Sequence, residues 1–212
     1  MGAIQNGLIW RVGAGLLLFG SSLLAADLSN DAFFPMAKGD RWVYDTLNKK
    51  GKDRCVMTVV IEGPWKEKNA SGMRMTQKDH RGTMREYLVH NEKGIFIHKL
   101  GVSQALTPEV YTRFTPAVPR VIFPLTAGTT VHWEGNLKIA WVNIPIIFDG
   151  EVVGWEDVDV PAGRFHAIKL HYHEKRGKEV LDEHSWYAEG VGQVKYDGGQ
   201  YIKELKSYQP YR

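Results

Sequence analysis

Three histidines near the C-terminal end are the side chains of this sequence best suited to chemistry. His171 and His173 are separated by one residue, so on a strand both rings leave the same face. The basic turn that follows would fold the next strand back and bring Asp182, Glu183 or His184 close to them. Two imidazoles with a carboxylate or a third imidazole can bind zinc or copper. The pattern therefore predicts a metal site at His171, His173 and His184. The alternative is a histidine-rich strand that is merely polar, because a register shift of one residue sends the partner to the other face.

Tryptophan and methionine side chains recur along the chain at positions that alternate with polar residues. Flexible thioethers beside indole rings can line a cavity for an apolar ligand. Packing in an ordinary core is the alternative interpretation for each of them. The sequence-based hypothesis is a ligand-binding surface made of six residues: Trp42, Met73, Met75, Trp133, Trp155 and Trp186.

Common catalytic signatures are absent from the sequence. It has no G-x-S-x-G nucleophile motif, no H-E-x-x-H zinc helix and no phosphate-binding G-x-x-x-x-G-K-[ST] loop. Asp157 and Asp159 alternate with valines and are expected to face solvent instead of forming an acid–base pair. Cys55 is the single cysteine, so the chain forms no internal disulfide. We therefore predict no catalytic residue and no cofactor.

Composition and charge exclude several classes of protein. Of 212 residues, 43% are hydrophobic and 24% are charged, which is typical of a folded globular domain. The formal net charge of +3 is too small for a nucleic-acid-binding surface, which needs many aligned cations. We expect no nucleic-acid partner.

The N-terminus resembles a secretory leader. Arg11 precedes a run of apolar and small residues that ends at Ala25 and Ala26. A charged start, an apolar stretch too short for a membrane span and small residues before the cleavage point are typical of a signal peptide. The sequence predicts a leader over residues 1–26 and a periplasmic or secreted mature domain over 27–212. An uncleaved leader would instead hold the protein at a membrane.

The rest of the chain alternates polar and apolar residues over short runs that are separated by turn-forming residues. This pattern predicts an all-β domain, a curved antiparallel meander of about 12 strands. The predicted strands cover residues 41–47, 54–62, 73–78, 84–90, 95–100, 130–137, 139–148, 151–160, 164–174, 179–188, 193–196 and 201–208. Asp149 and Gly150 are interpreted as a turn. Four prolines predict a long loop or crossing over residues 101–124.

One sequence pattern occurs twice. FPMAKGDRWVY at residues 34–44 is similar to FPLTAGTTVHW at residues 123–133: an aromatic residue, a proline, a large apolar residue, a glycine and then a strand. The repetition predicts two pseudo-repeated halves, 33–100 and 122–208, although two unrelated strand starts would look the same. Pro145 inside a predicted strand indicates an edge or bulge, so we expect a half-barrel or clam that closes incompletely.

Two strings resemble elements of uncharacterised bacterial exported proteins, many of which are lipoproteins. They are VPAGRFHAIK at residues 160–169 and WYAEGVGQVK at residues 186–195. The resemblance implies an open, clam-shaped sheet comparable with factors that carry acyl chains. It implies no established activity. The chain departs from many of these proteins because no lipid-attachment cysteine follows its apolar run.

Three functions remain as hypotheses from the sequence. The first is a non-enzymatic binding protein that carries an apolar small molecule or a lipid on the concave face of the sheet. The second is a structural or interaction subunit of a cell-envelope assembly, with an envelope protein as its partner. The third is a metal-dependent enzyme.

Overall fold

The computed structural model describes residues 30–50, 53–104 and 107–211. The predicted leader lies outside these residues. A short 3₁₀ helix, Asn30–Phe33, precedes twelve strands. The strands are β1 Arg41–Asn48, β2 Arg54–Glu67, β3 Ala70–Asp79, β4 Gly82–Asn91, β5 Gly94–Ser103, β6 Val110–Ile122, β7 Thr130–Ile139, β8 Val142–Val160, β9 Gly163–Arg176, β10 Glu179–Ala188, β11 Gly192–Asp197 and β12 Tyr201–Gln209. None of the helices in the described ranges has the length and apolar content of a membrane span.

Burial alternates along β1, β2, β7 and β8, as expected for strands with one face towards the interior. In β1, for example, Trp42, Tyr44 and Thr46 are buried and their neighbours are more exposed. Each strand pairs antiparallel with the next one along the chain, and β1 also pairs with β12, so the twelve strands form a closed barrel. The all-β prediction of about 12 antiparallel strands is confirmed.

Two seams of the barrel are much shorter than the others. Strand β6 pairs with β7 only over residues 112–115, and β11 pairs with β12 only over residues 195–197. Beyond these short ladders the neighbouring strands are not paired, but both seams are closed, so the incomplete closure expected from Pro145 is not found. Pro145 lies at an edge, as its missing donor requires, because the pairing of β8 with β9 begins one residue later at Ile146.

The predicted loop over residues 101–124 is wrong in most of its length. Residues 110–122 form β6, which pairs with β5 along both of its halves. The prolines are tolerated because the ladder between β5 and β6 is interrupted twice there, and because β6 has no pairing with β7 beyond Thr115. Proline is accepted in a sheet at such edges and irregularities.

The predicted turn at Asp149 and Gly150 is also wrong. Strand β8 runs through both residues without a break, and the turn between β7 and β8 is made by Ala140 and Trp141. Ala140 has a φ of 51°, in the left-handed region that glycine or asparagine usually occupies. A two-residue turn without those residues has no recognisable sequence signal.

The two copies of the repeated pattern make the same backbone hydrogen bonds. Gly39 N–H donates to the Ile61 carbonyl and Gly128 N–H donates to the Val152 carbonyl, each at 2.8 Å. Both glycines have a positive φ, and in both cases a bulge follows in the partner strand. The division into halves 33–100 and 122–208 stays a prediction, but the two strand starts are built alike.

One end of the barrel is filled by the segment before β1. Phe33 and Phe34 are buried in the core, and Asn30 Oδ1 accepts a hydrogen bond of 2.9 Å from Leu125 N–H. The Ala32 carbonyl accepts a second bond, of 2.8 Å, from Gly190 N–H. These contacts hold the 3₁₀ helix over that end, so we call it the closed end.

Replacing Ala140 by glycine is expected to stabilise the protein by about 1 kcal/mol, because the left-handed conformation costs a residue with a Cβ about that much. The free energy of unfolding from urea titration measures the change. Ala162→Gly is the control. Ala162 is an exposed turn residue without a positive φ, so its replacement should destabilise the fold slightly. A loss of stability in Ala140→Gly would contradict the strain at this turn.

Candidate functional site

A cavity of about 450 Å³ occupies the half of the barrel interior that the core does not fill. Arg81 from the turn between β3 and β4, Arg176 from the end of β9 and Tyr201 from the start of β12 all line it. These three residues lie at the barrel end opposite the closed end. The cavity therefore opens there, and we call this end the mouth.

One side of the cavity is apolar. Its side chains come from the inward positions of β5, β6 and β8: Ile97, Leu100, Phe114, Val118 and Phe148. Alternation places them there, because every second residue of a barrel strand points inward. We call this surface the apolar wall.

The other side of the cavity carries charged and hydroxyl groups. They come from the inward positions of β9 to β12: Glu174, Arg176, Glu183, Tyr196 and Lys203. Arg176 and Glu174 neutralise each other, since Nη2 of the arginine lies 2.7 Å from Oε1 of the glutamate. Burial raises the pKa of Tyr196, and the charge of Glu183 and a hydrogen bond to it raise it further. Glu183 thus has a hydroxyl partner. We call this surface the polar wall.

A buried ion pair forms the floor between the cavity and the filled core. Nε of Arg120 lies 3.2 Å from Oε2 of Glu86, and Nη1 donates a 3.1 Å hydrogen bond to the Tyr187 hydroxyl. Gln77 Nε2 donates to the other oxygen of Glu86. Burial lowers the pKa of Arg120, but the nearby Tyr187 and Glu86 are among the groups that raise it. The net result is a raised pKa. The floor cation is permanently charged and already partnered.

Lys203 is the cation of the cavity that forms no ion pair with any described residue. Its Nζ lies 4.6 Å from the centre of the Tyr196 ring. Burial lowers the pKa of Lys203 to about 8, and the positive charge of Arg120 contributes to the lowering, whereas Glu86 and Glu183 act in the opposite direction. An ammonium group enclosed in this way gains stability from any anion that reaches it.

The tryptophans and methionines predicted to bind a ligand do not line this cavity. Trp42 and Met75 are buried beside it and border a residual space of only about 20 Å³. Trp42 Nε1 donates a 2.6 Å hydrogen bond to the Val191 carbonyl, so its polar edge is satisfied within the protein. Trp133 is buried in the core and Met73 packs against it. These four side chains fill the closed half of the barrel.

The two remaining tryptophans of the predicted set do not line the cavity either, and Trp186 is only 8% exposed and belongs to the buried core cluster. Trp155 is 44% exposed, with its ring stacked 5.0 Å from that of His166. Trp186 donates from Nε1 to Glu156, and the Nζ atoms of Lys169 and Lys195 lie 5.0 and 5.8 Å from its ring. The concave surface predicted from six residues is therefore divided between the core and the outer face.

The three histidines share the outer face of β9 and β10. His171 pairs with His184 across the strands, and their rings stack at 4.5 Å. Nε2 of His171 lies 2.5 Å from Oδ1 of Asp182, which lowers the pKa of that carboxyl group, whereas Nδ1 of His173 is 3.9 Å away from the same oxygen. No group of three or more His, Cys, Asp or Glu side chains in the described part of the chain is arranged to hold a metal ion. The metal site stays a prediction from sequence.

Sequence reasoning missed the residues that matter most in the cavity. Arg120 lies in the segment that the prolines indicated as a loop, so its inward direction could not be inferred. Lys203 could have been found, because it alternates with Leu205, a core residue on the same face of β12. A charged residue in phase with buried ones is the available signal.

Comparison with protein families finds a similarity for the second half of the barrel. Residues 127–210 match the model of the DUF3108-like family. This range contains β7 to β12 and both strings, VPAGRFHAIK and WYAEGVGQVK. The predicted resemblance to an uncharacterised domain family is confirmed for this part of the chain. A search of curated proteins found no match.

Two solved structures are similar to the chain. One, from Parabacteroides distasonis ATCC 8503, is described as a "putative lipoprotein"; it is 14% identical, with a TM-score of 0.44 over 84% of this chain and 98% of its own. The other, from Bacteroides fragilis NCTC 9343, is described as a "putative exported protein with YmcC-like fold". It is 13% identical, with a TM-score of 0.40 over 84% of this chain and 99% of its own.

Replacing Lys203 by methionine is expected to raise the free energy of unfolding at pH 7 by about 1–3 kcal/mol. The pKa of Lys203 is about 8 in the fold and near its usual value of 10.5 in the unfolded chain. Burial of the charged amine therefore destabilises the wild type below pH 8, and this destabilisation decreases as the pH rises towards 10.5. The advantage of the variant should shrink over this interval, as measured by urea titration at several pH values.

The matched control is Lys206→Met on the same strand. Lys206 is exposed and its Nζ lies 3.3 Å from Oδ1 of Asp45 outside the barrel, so its replacement removes a lysine of the same strand without changing the cavity. Tyrosine ionisation affects all three proteins equally and cancels in the differences. A constant difference between the wild type and Lys203→Met from pH 7 to 10.5 would show that the amine is not destabilised by burial.

Proposed function

We propose that this protein is a non-enzymatic binding protein for an amphipathic small molecule with an acidic head group. The observation that carries the proposal is the open cavity of about 450 Å³, in which an apolar wall faces an unpaired ammonium group. This volume falls in the range of small-molecule sites, about 300–1000 Å³. The ligand would lay its hydrocarbon part on the apolar wall and its anionic group beside Lys203.

The energetics favour this type of ligand over a purely apolar one. Burying roughly 200 Å² of hydrocarbon surface contributes about 5 kcal/mol, and the loss of freedom on association offsets much of that. A hydrogen bond to a charged partner adds about 1.5–3 kcal/mol. An uncharged hydroxyl group could accept a hydrogen bond from Lys203 but would not neutralise its charge, so it would gain less than a carboxylate. The acidic group therefore decides whether a short hydrocarbon is held.

Binding is proposed to take place outside the cytoplasm, in the periplasm or after secretion. The support is the charged, apolar and small-residue pattern of residues 1–26. A carrier in that compartment would handle hydrocarbon-bearing acids that have low solubility in water. The sequence-based hypothesis of an apolar cargo is thus refined to an amphipathic one, because a fully apolar ligand would leave the charge of Lys203 without a partner among the described residues.

Decanoate is a suitable probe, with decanol as the matched uncharged molecule. Native mass spectrometry and isothermal titration calorimetry at pH 7 are expected to show one decanoate per chain and at least tenfold weaker binding of decanol. Lys203→Met should weaken decanoate binding by about tenfold or more and weaken decanol binding by a clearly smaller factor. The affinity for decanoate should fall as the pH rises above the pKa of Lys203, about 8.

Two further variants separate the contributions of the walls. Lys206→Met, outside the barrel, should bind decanoate as the wild type does. Leu100→Trp places a bulky indole ring on the apolar wall, where it would occupy the space of the ligand. This variant should bind neither probe. If neither probe binds the wild type, or if Lys203→Met binds decanoate normally, the proposed function is wrong.

A further inference from the structure

One arc of the mouth carries exposed apolar side chains from β5, β6 and β8 and from the turn between β7 and β8. Trp141, in the turn between β7 and β8, is 90% exposed and is followed by exposed Val142. Val102 at the end of β5 and Val110 at the start of β6 are paired with each other and are also exposed. We call these four residues, Val102, Val110, Trp141 and Val142, the rim patch.

The rim patch contributes little to the fold. A tryptophan that is 90% exposed buries almost none of its ring in the protein, yet the turn that presents it is tight and includes Ala140 with a φ of 51°. An exposed apolar cluster at a rigid site is typical of a surface that contacts another molecule. Tryptophan in particular favours the boundary between water and lipid, where its ring is apolar and its N–H stays hydrated.

Three exposed lysines lie at the same end of the barrel as the tryptophan, although exposed Glu134 lies across β8 from one of them, Lys175. Lys138 of β7, Lys175 of β9 and Lys178 of the following turn are exposed and lie at the same end of the barrel. None of the three forms an ion pair with a residue that the structure describes, although Glu179 is close in sequence to Lys178. Exposed lysines at the same end of the barrel as the rim patch complement an anionic surface.

We propose that the rim patch docks on the surface of a lipid bilayer that contains anionic lipid. Trp141 would enter the headgroup region, and Lys138, Lys175 and Lys178 would contact the lipid phosphates. One indole and three valines present too little area for a stable protein–protein interface, which buries about 1,200 Å² or more. A bilayer requires no such area, because partitioning of a few side chains and electrostatic attraction suffice for reversible binding.

Docking in this orientation would turn the mouth of the cavity towards the bilayer. Leu100 and Phe114 of the apolar wall lie on the same two strands as Val102 and Val110, so an apolar path runs from the rim into the cavity. The docking surface itself rests on exposure and charge alone. It stands even if the proposed ligand is wrong.

Partition between buffer and vesicles tests the docking surface. The full chain is mixed with vesicles of phosphatidylcholine alone or with phosphatidylglycerol added, and bound protein is measured by sedimentation. Trp141→Ser should weaken binding to the anionic vesicles by roughly tenfold. Replacing Lys138, Lys175 and Lys178 by glutamine should weaken it by roughly fivefold for each lysine. Lys206→Met, which removes an exposed cation away from both the rim patch and the cavity, should bind the vesicles as the wild type does.

A second measurement reports on Trp141 itself and does not depend on the N-terminal segment. Nitroxide-labelled lipid should quench the part of the tryptophan emission that Trp141→Phe removes. It should leave unquenched the part that Trp155→Phe removes, because Trp155 is an exposed tryptophan near the closed end. Equal quenching of both parts, or quenching of neither, would overturn the proposal. Self-association of the wild type that is lost in Trp141→Ser, without vesicle binding, would also overturn it and assign the patch to a second copy of the chain.

Discussion

Closure of one antiparallel ladder is the constraint on which the rest of this structure depends. Because β1 pairs with both β2 and β12, every strand is fixed in register, and alternate side chains are committed to the interior or to solvent. The interior is finite, and the inward residues fill only one half of it. The cavity is what remains where the inward side chains are charged and pair with one another instead of packing across the interior.

The two ends of the barrel differ because their inward residues differ. At the closed end, Phe33, Phe34 and Trp42 pack with aliphatic residues, and the 3₁₀ helix covers them. Towards the mouth, the partners are Glu174 with Arg176 and Glu86 with Arg120, which need hydrogen-bonding geometry and cannot collapse on one another as hydrocarbon can. This arrangement leaves a cavity between the apolar wall and the polar wall. Lys203 is the group in it whose charge is left without a partner among the described residues.

The sequence predicted the fold class well because alternation is a local property. Ten of the twelve strands could be located from period-two patterns and glycine-containing turns, β1 and β10 among them. Two errors had the same cause, an unusual local residue that the tertiary structure tolerates. The prolines of β6 lie where pairing is interrupted, and the turn at Ala140 and Trp141 contains neither glycine nor asparagine. Asp149 and Gly150 have turn-forming types, yet pairing with β7 on one side and β9 on the other keeps them extended. The candidate site was harder to predict, because tryptophan and methionine have the same pattern whether they pack a core or line a cavity. Only the filling of the closed end distinguishes these cases.

We propose that an anionic amphiphile occupies the cavity with its hydrocarbon on the apolar wall. A crystal structure of the protein with 10-bromodecanoate tests this most directly, because the bromine gives an anomalous signal that locates the end of the chain. We expect a bromine peak beside Phe114 and Phe148 and a carboxylate within hydrogen-bonding distance of Lys203 Nζ. A peak outside the barrel, or a cavity closed by movement of the polar wall, would contradict it.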